Sequence, residues 1–138
     1  MKIVQMQKEP IDVTGLLHKS GTVEDGAILT FIGTARKNSM GREVHYLHYD
    51  VYEDMAMREL DKIVKHAVET WPLTNCIVIH RYGRVNIGEA SVFIAVSVKH
   101  REEGFAALRY IIDTIKKTVP IWKKEHYADG SVWVSERP

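Results

Sequence analysis

The residues from Ala90 to Lys99 (ASVFIAVSVK) are strand formers and are apolar on both alternating faces. A strand of this kind has no face to offer water, so it belongs at the centre of a sheet covered on both sides. Two stretches can form helices to cover it. Glu53 to Trp71 repeats Ala56, Leu60, Ile63, Ala67 and Trp71 at helical spacing, with Met57, Val64 and Val68 beside them, and Pro72 stops it. Arg101 to Lys117 carries a stripe of Phe105, Leu108, Ile112 and Ile115. Glu102 and Glu103 in its first turn and Lys116 and Lys117 in its last both suit the helix dipole, and Pro120 prevents continuation.

The other elements follow from alternation and turn chemistry. Lys2 to Gln7 reads as an edge strand ended by Pro10, and Ile11 to Lys19 as a short helix weakened by Gly15. Ala27 to Thr34 predicts a strand with Leu29 and Phe31 on one face, in which Gly33 marks a bulge or a close backbone approach. Ala35 to Arg42, polar and with three cations, predicts a mobile loop, and Glu43 to Tyr52 resumes strand alternation. Cys76 to Val85 predicts one strand, joined to Ala90–Lys99 by a hairpin-like turn at Asn86–Glu89. Ile121 to His126 and Ser131 to Val134 predict two short strands around an Asp129-Gly130 turn. The order β, α, ββ, α, ββ, α, ββ predicts an α+β fold with a largely antiparallel sheet, as a single domain over residues 1–138.

The net charge of +1 gives no long-range pull toward nucleic acid or a membrane surface, so anion recognition has to come from a local cluster. The densest is Lys116 to Glu125 (KKTVPIWKKE), in which two lysine pairs flank Val119-Pro120-Ile121-Trp122. The helix end and the turn at Pro120 can bring Lys116 and Lys123 into one pocket, where partial shelter would let a lysine give up its proton near neutral pH. The competing reading is a solvated, lysine-rich helix end, and solvation is expected for Lys117 and Lys124. His100 and Arg101 stand at a strand-to-helix junction, where free backbone N–H groups and two cations suit an anion, or form an ordinary exposed strand end. Arg36 and Arg42 flank the glycine loop, and Glu125 is read as a rim partner of the lysines or a pocket acid.

Other chemistries find little support. His45 and His48 are three apart on a strand and face opposite sides, so no metal site is expected. Cys76, the sole cysteine, lies in an apolar strand as a small core residue, which leaves neither a disulfide nor a cysteine nucleophile. No GxGxxG, Walker, HExxH or GxSxG motif occurs. The N-terminus does not read as a signal peptide and no apolar run has the length of a membrane span, so a cytoplasmic location is expected.

Four segments carry a resemblance to one family: Gly26 to Val44, His48 to Leu60, His80 to Arg101, and KKTVPIWKKE with DGSVWV behind it. The sequence resembles the large, catalytic subunit of molybdopterin synthase over about residues 26 to 134, with Asp50 and Ala35 as slight departures. The resemblance implies an α/β hammerhead-type fold and a sulfurtransferase of molybdenum cofactor biosynthesis, needing no cofactor of its own. Its partner would be a small ubiquitin-like subunit with a C-terminal glycine thiocarboxylate, threaded into the large subunit's pocket. Sulfur would pass to cyclic pyranopterin monophosphate, making the dithiolene of molybdopterin. The assembly implied is a heterotetramer built on a homodimer.

By the same resemblance Lys116 and Lys123 match catalytic lysines and Arg36 a pocket arginine near the incoming tail. His100 and Arg101 match anion-binding residues supplied by the neighbouring protomer, and Phe31 and Glu125 match pocket-wall positions. The roles inferred are proton transfer at the reacting carbon for Lys123, and a hold on the glycine carboxylate and tetrahedral adduct for Lys116. The alternative is a non-enzymatic, dimeric module that binds an anion or a partner's tail with the same cations.

Overall fold

The computed structural model describes residues 1–135. In chain order the elements are β1 (Lys2–Gln7), α1 (Val13–Lys19), β2 (Ala27–Thr34), β3 (Asn38–Ser39), β4 (Arg42–Val51), α2 (Glu53–Thr70), β5 (Asn75–Arg81), β6 (Gly83–Asn86), β7 (Ala90–Val98), α3 (Arg101–Thr118), β8 (Ile121–Tyr127) and β9 (Val132–Val134). They build an α+β fold with two sheets. The first has the order β1-β5-β7-β2, parallel only between β1 and β5. The second runs β3-β4-β8-β9, with β6 also paired to β4. No helix among the described residues is long and apolar enough to cross a membrane.

Strand β7 is the covered centre that its composition demands. Val92, Ile94, Val96 and Val98 face the main core with α2 and α3, while Phe93 and Ala95 face a second cluster closed by Leu16 and Val13 of α1. Fully burying one such side chain contributes roughly 1.5–3 kcal/mol, so this strand anchors the whole sheet. The main core continues into the second sheet through Val44, Leu47, Tyr49, Val85 and Ile121, which holds the two sheets in one packing unit.

Four sequence expectations change. The run Cys76 to Val85 is two strands in different sheets, because the chain turns at Gly83 (φ 78°) and leaves β5 for β4's side. Buried Arg81 secures the crossing: its guanidinium donates to the Lys8 carbonyl at 2.9 Å and to the Arg84 carbonyl at 3.1 Å, and meets Glu89 at 3.3 Å. The Asn86–Glu89 turn therefore joins two sheets and closes no hairpin, although Glu89 N–H does donate to the Asn86 carbonyl at 3.0 Å. The segment expected as a mobile loop is a tight hairpin, with β3 paired to β4 through Met40 and Gly41, both at positive φ.

The fourth change is in α3. Its buried face is Gly104, Ala107, Ile111 and Ile115, while Phe105 is 62% exposed. Small residues let the helix approach β2 and β7 so closely that a Cβ at Gly104 would lie 2.5 Å from Leu29 Cδ1 and 2.9 Å from Val98 Cγ2. The expected bulge at Gly33 is present as a register shift between Gly33 and Thr34.

Candidate active site

Helix α3 ends because Val119 takes an extended conformation (φ −79°, ψ 127°) ahead of Pro120. Ile121 N–H then donates to the Val119 carbonyl at 2.8 Å, and the chain enters β8 at once. This sharp turn puts Lys116, in the last helical turn, beside the first residues of β8. Alternation along β8 sends Ile121, Lys123, Glu125 and Tyr127 inward, opposite Val51, Tyr49, Leu47 and Val44 of β4. Trp122, Lys124 and His126 face outward. The expectation for Lys117 holds, since it is exposed, whereas Lys124 lies on the outer face and pairs with Asp50 at 2.6 Å.

Lys116 and Lys123 thus line one cavity with two lobes. The inner lobe, about 160 Å³, is closed by Tyr49, His80, Ile115, Ile121 and Ser135. The outer lobe, about 200 Å³, shares Tyr49 and both lysines, and adds Phe31, Arg36, Ser91 and Glu125 among its walls. Ser135 pins the backbone of Lys123 from the far side: its hydroxyl accepts the Lys123 N–H at 3.1 Å, and its N–H donates to the Lys123 carbonyl at 3.0 Å.

Electrostatics distinguish the groups in this cavity. Desolvation, followed by the repulsion of Lys123, lowers the pKa of Lys116 from its ordinary value. Lys116 is exposed as a residue, so the desolvation by the cavity walls is partial. Burial raises the pKa of Tyr49, outweighing a hydrogen bond with Ser91, and the charge of Glu125 adds to the rise. Glu125 is only 4% exposed and forms no ion pair among the described residues, so the rim salt bridge considered from sequence is replaced by a carboxyl in the cavity wall. Burial pushes the Cys76 thiol up to about 12, which leaves no thiolate for nucleophilic work at neutral pH.

Five of the seven residues expected at the site, Phe31, Arg36, Lys116, Lys123 and Glu125, come together in the outer lobe. His100 and Arg101 do not join them within one chain. They are exposed at the start of α3 and border a separate hollow of about 680 Å³, with Lys99, Glu102, Glu103 and Phe105. Arg42, at the glycine loop, pairs with Asp129 at 2.7 Å and lies over the Tyr127 ring, away from the lysines. Sequence reasoning missed Tyr49, His80 and Ser91. The signal for His80 was available: it is a titratable group embedded in the apolar run CIVIH.

Among the described residues, the turn from α3 into β8 brings two lysines, an arginine and a buried carboxyl to one cavity of this two-sheet α+β protein, a set of groups suited to an anionic substrate. The chain belongs to the MoaE protein family, whose sequence model matches residues 6–118. The molybdopterin synthase catalytic subunit of Halalkalibacterium halodurans is 40% identical over 132 residues, 96% of this chain and 85% of that protein. Molybdopterin synthase from Staphylococcus aureus has a closely similar structure, with a TM-score of 0.90 at 34% identity over 99% of both chains. The fold also recurs, with a TM-score of 0.76 at 21% identity over 96% of this chain and 89% of the other, in a Helicobacter pylori complex of subunits 1 and 2 of molybdopterin-converting factor.

Proposed function

We infer that this chain is the catalytic subunit of a molybdopterin synthase. It takes sulfur from the C-terminal glycine thiocarboxylate of a small ubiquitin-like partner and delivers it to cyclic pyranopterin monophosphate, forming the dithiolene. The observation that carries the reading is the convergence of Lys116 and Lys123 on one sheltered cavity, with Arg36 at its outer lobe. Both reactants are anions, one a thiocarboxylate and the other a phosphate ester. Charge-assisted hydrogen bonds to them are worth about 1.5–3 kcal/mol each, more than neutral donors would give.

The roles of the lysines are exchanged relative to the sequence-based division. Desolvation and the charge of Lys123 lower the pKa of Lys116, which eases the release of its proton as sulfur adds to the pterin side chain. Lys123, its backbone fixed by Ser135, holds the tail's carboxyl oxygen and the tetrahedral adduct. Phe31, 36% exposed on edge strand β2, forms the apolar wall along which the glycine tail enters. His100 and Arg101 serve the cavity of the neighbouring protomer in a homodimer, at the core of a heterotetramer with two small subunits. The chain works in the cytoplasm as one domain.

The test is conversion of cyclic pyranopterin monophosphate by the purified chain with thiocarboxylated partner. The expected result is dithiolene formation that requires both the partner and its thiocarboxylate. Tail-dependent binding of the partner with no conversion of the pterin would replace this reading by that of a docking module.

A further inference from the structure

One titratable group in the cavity has no part in the roles above. His80 lies on β5 with 6% of its surface exposed and closes the inner lobe beneath Lys116. Its Nδ1 is 2.7 Å from the Arg81 carbonyl oxygen, which can only accept, so Nδ1 carries the hydrogen. The Tyr49 ring meets the imidazole edge-on at 5.4 Å and 81°, fixing the ring plane. In a neutral imidazole with Nδ1 protonated, Nε2 bears a lone pair, and the bond through Nδ1 is the only hydrogen bond of this side chain among the described residues.

We propose that His80 is a positioning residue for Lys116: its Nε2 lone pair accepts one N–H of the lysine and aims Nζ at the reacting atoms. An amine has one lone pair and two N–H bonds. Tethering one N–H to a fixed acceptor sets the direction of the lone pair, so the proton moves along one path in both directions. The groups facing this pair are Tyr49 from β4, Lys123 and Glu125 from β8, and Arg36 after β2. His80 shares the inner lobe with Tyr49, Lys116 and Lys123, while Arg36 and Glu125 face Lys116 from the outer lobe; three of these five chargeable groups are cations. Burial and the Lys116 charge together hold the His80 pKa down to about 4, so it stays an acceptor through the neutral range and does not compete with Lys116 for the proton. The histidine is therefore excluded as the base and suited as a tether.

This inference rests on the catalytic reading of Lys116, and its test reads the lysine directly as well as turnover. His80→Asn keeps a donor for the Arg81 carbonyl but withdraws the acceptor from the cavity, whereas the longer His80→Gln reaches the position of Nε2. Lys116 is titrated by NMR through its ¹³Cε signal in protein carrying ¹³C-labelled, unmodified lysine, with Lys116→Arg to assign the signal. An acceptor favours the ammonium, so His80→Asn is expected to lower the Lys116 pKa further by about one unit, with His80→Gln closer to wild type. In turnover, kcat should fall about tenfold in His80→Asn with KM little changed, and recover in part in His80→Gln. A Lys116 titration unmoved by His80→Asn in folded protein overturns the tether. Loss of turnover in wild type with the titration shift intact would instead overturn the sulfur-transfer reading.

Discussion

The two ends of α3 each gather cations, and they do so on opposite physical terms. At the C-terminal end Lys116 and Lys117 sit where the helix dipole favours positive charge, and the sheet folds back to shelter one of them. At the N-terminal end His100 and Arg101 sit where the dipole opposes positive charge, in the open, offset by Glu102 and Glu103 in the first turn. The sheltered end has a lysine whose pKa is lowered, a tool for moving protons. The open end offers free N–H groups and a cation awaiting an anion, a tool for binding. One helix therefore holds its two cation clusters a full helix length apart, and under the proposed dimer another protomer would bring the second end to the first.

The largest effects test that separation. Lys116→Ala should lower sulfur transfer by about three orders of magnitude and Arg101→Ala by less, mainly through KM for the pterin, as steady-state kinetics would read. If the two ends meet across a dimer, mixing these two impaired chains restores activity at pterin concentrations where each alone is nearly silent. Random exchange makes half of the dimers mixed, each with one intact site, so about a quarter of wild-type activity should return. No recovery in subunit-exchanged mixtures would place both ends in the service of the same chain.

Stability provides smaller, sharper contrasts. His80 has a folded pKa of about 4 against 6.5 in the unfolded chain, so the unfolded state takes up its proton first on acidification. Its contribution to stability is intact above pH 6.5 and falls by about 3 kcal/mol as the pH drops toward 4. Urea denaturation across that range should show a flatter profile for His80→Gln. Lys116 behaves alike in a higher window: its lowered pKa makes the folded chain less stable below that value, and the deficit closes as the pH rises to 10.5. Lys116→Met should accordingly raise Tm at neutral pH and lose that advantage in alkali. The smallest effect is expected at the open end, where Arg101→Gln relieves the dipole and stabilises the free chain by about 0.3–1 kcal/mol while weakening substrate binding. Equal gains of stability from Lys116→Met and Arg101→Gln, with the same pH dependence, would contradict the contrast.

How far the sequence could be read follows the same divide. Pro120 as a helix stop and strict alternation after it were enough to bring Lys116 and Lys123 together, because both are local rules. The covered strand β7 was equally plain, since no other arrangement hides both of its faces. The break between β5 and β6 was not, because strand propensity runs on through Tyr82 and only Gly83's positive φ reveals the crossing. The face of α3 was misread because its closest contact is made by Gly104 and Ala107, small residues that a search for large apolar side chains passes over. His80 was half legible: its place in an apolar run marks it out, but nothing local says which way the side chain faces, and Lys116, with which it shares the inner lobe, lies on a different element.

The central claim is that a titrating Lys116 in the sheltered cavity moves the proton. Arginine at that position keeps the positive charge and the reach but cannot release its proton in this pH range. The decisive measurement is single-turnover conversion of the pterin by Lys116→Arg with the thiocarboxylated partner already bound. The structure predicts a loss close to that of Lys116→Ala, with binding of the partner preserved. A rate within about twofold of wild type would contradict it, and would leave Lys116 as a charge that holds an anion and nothing more.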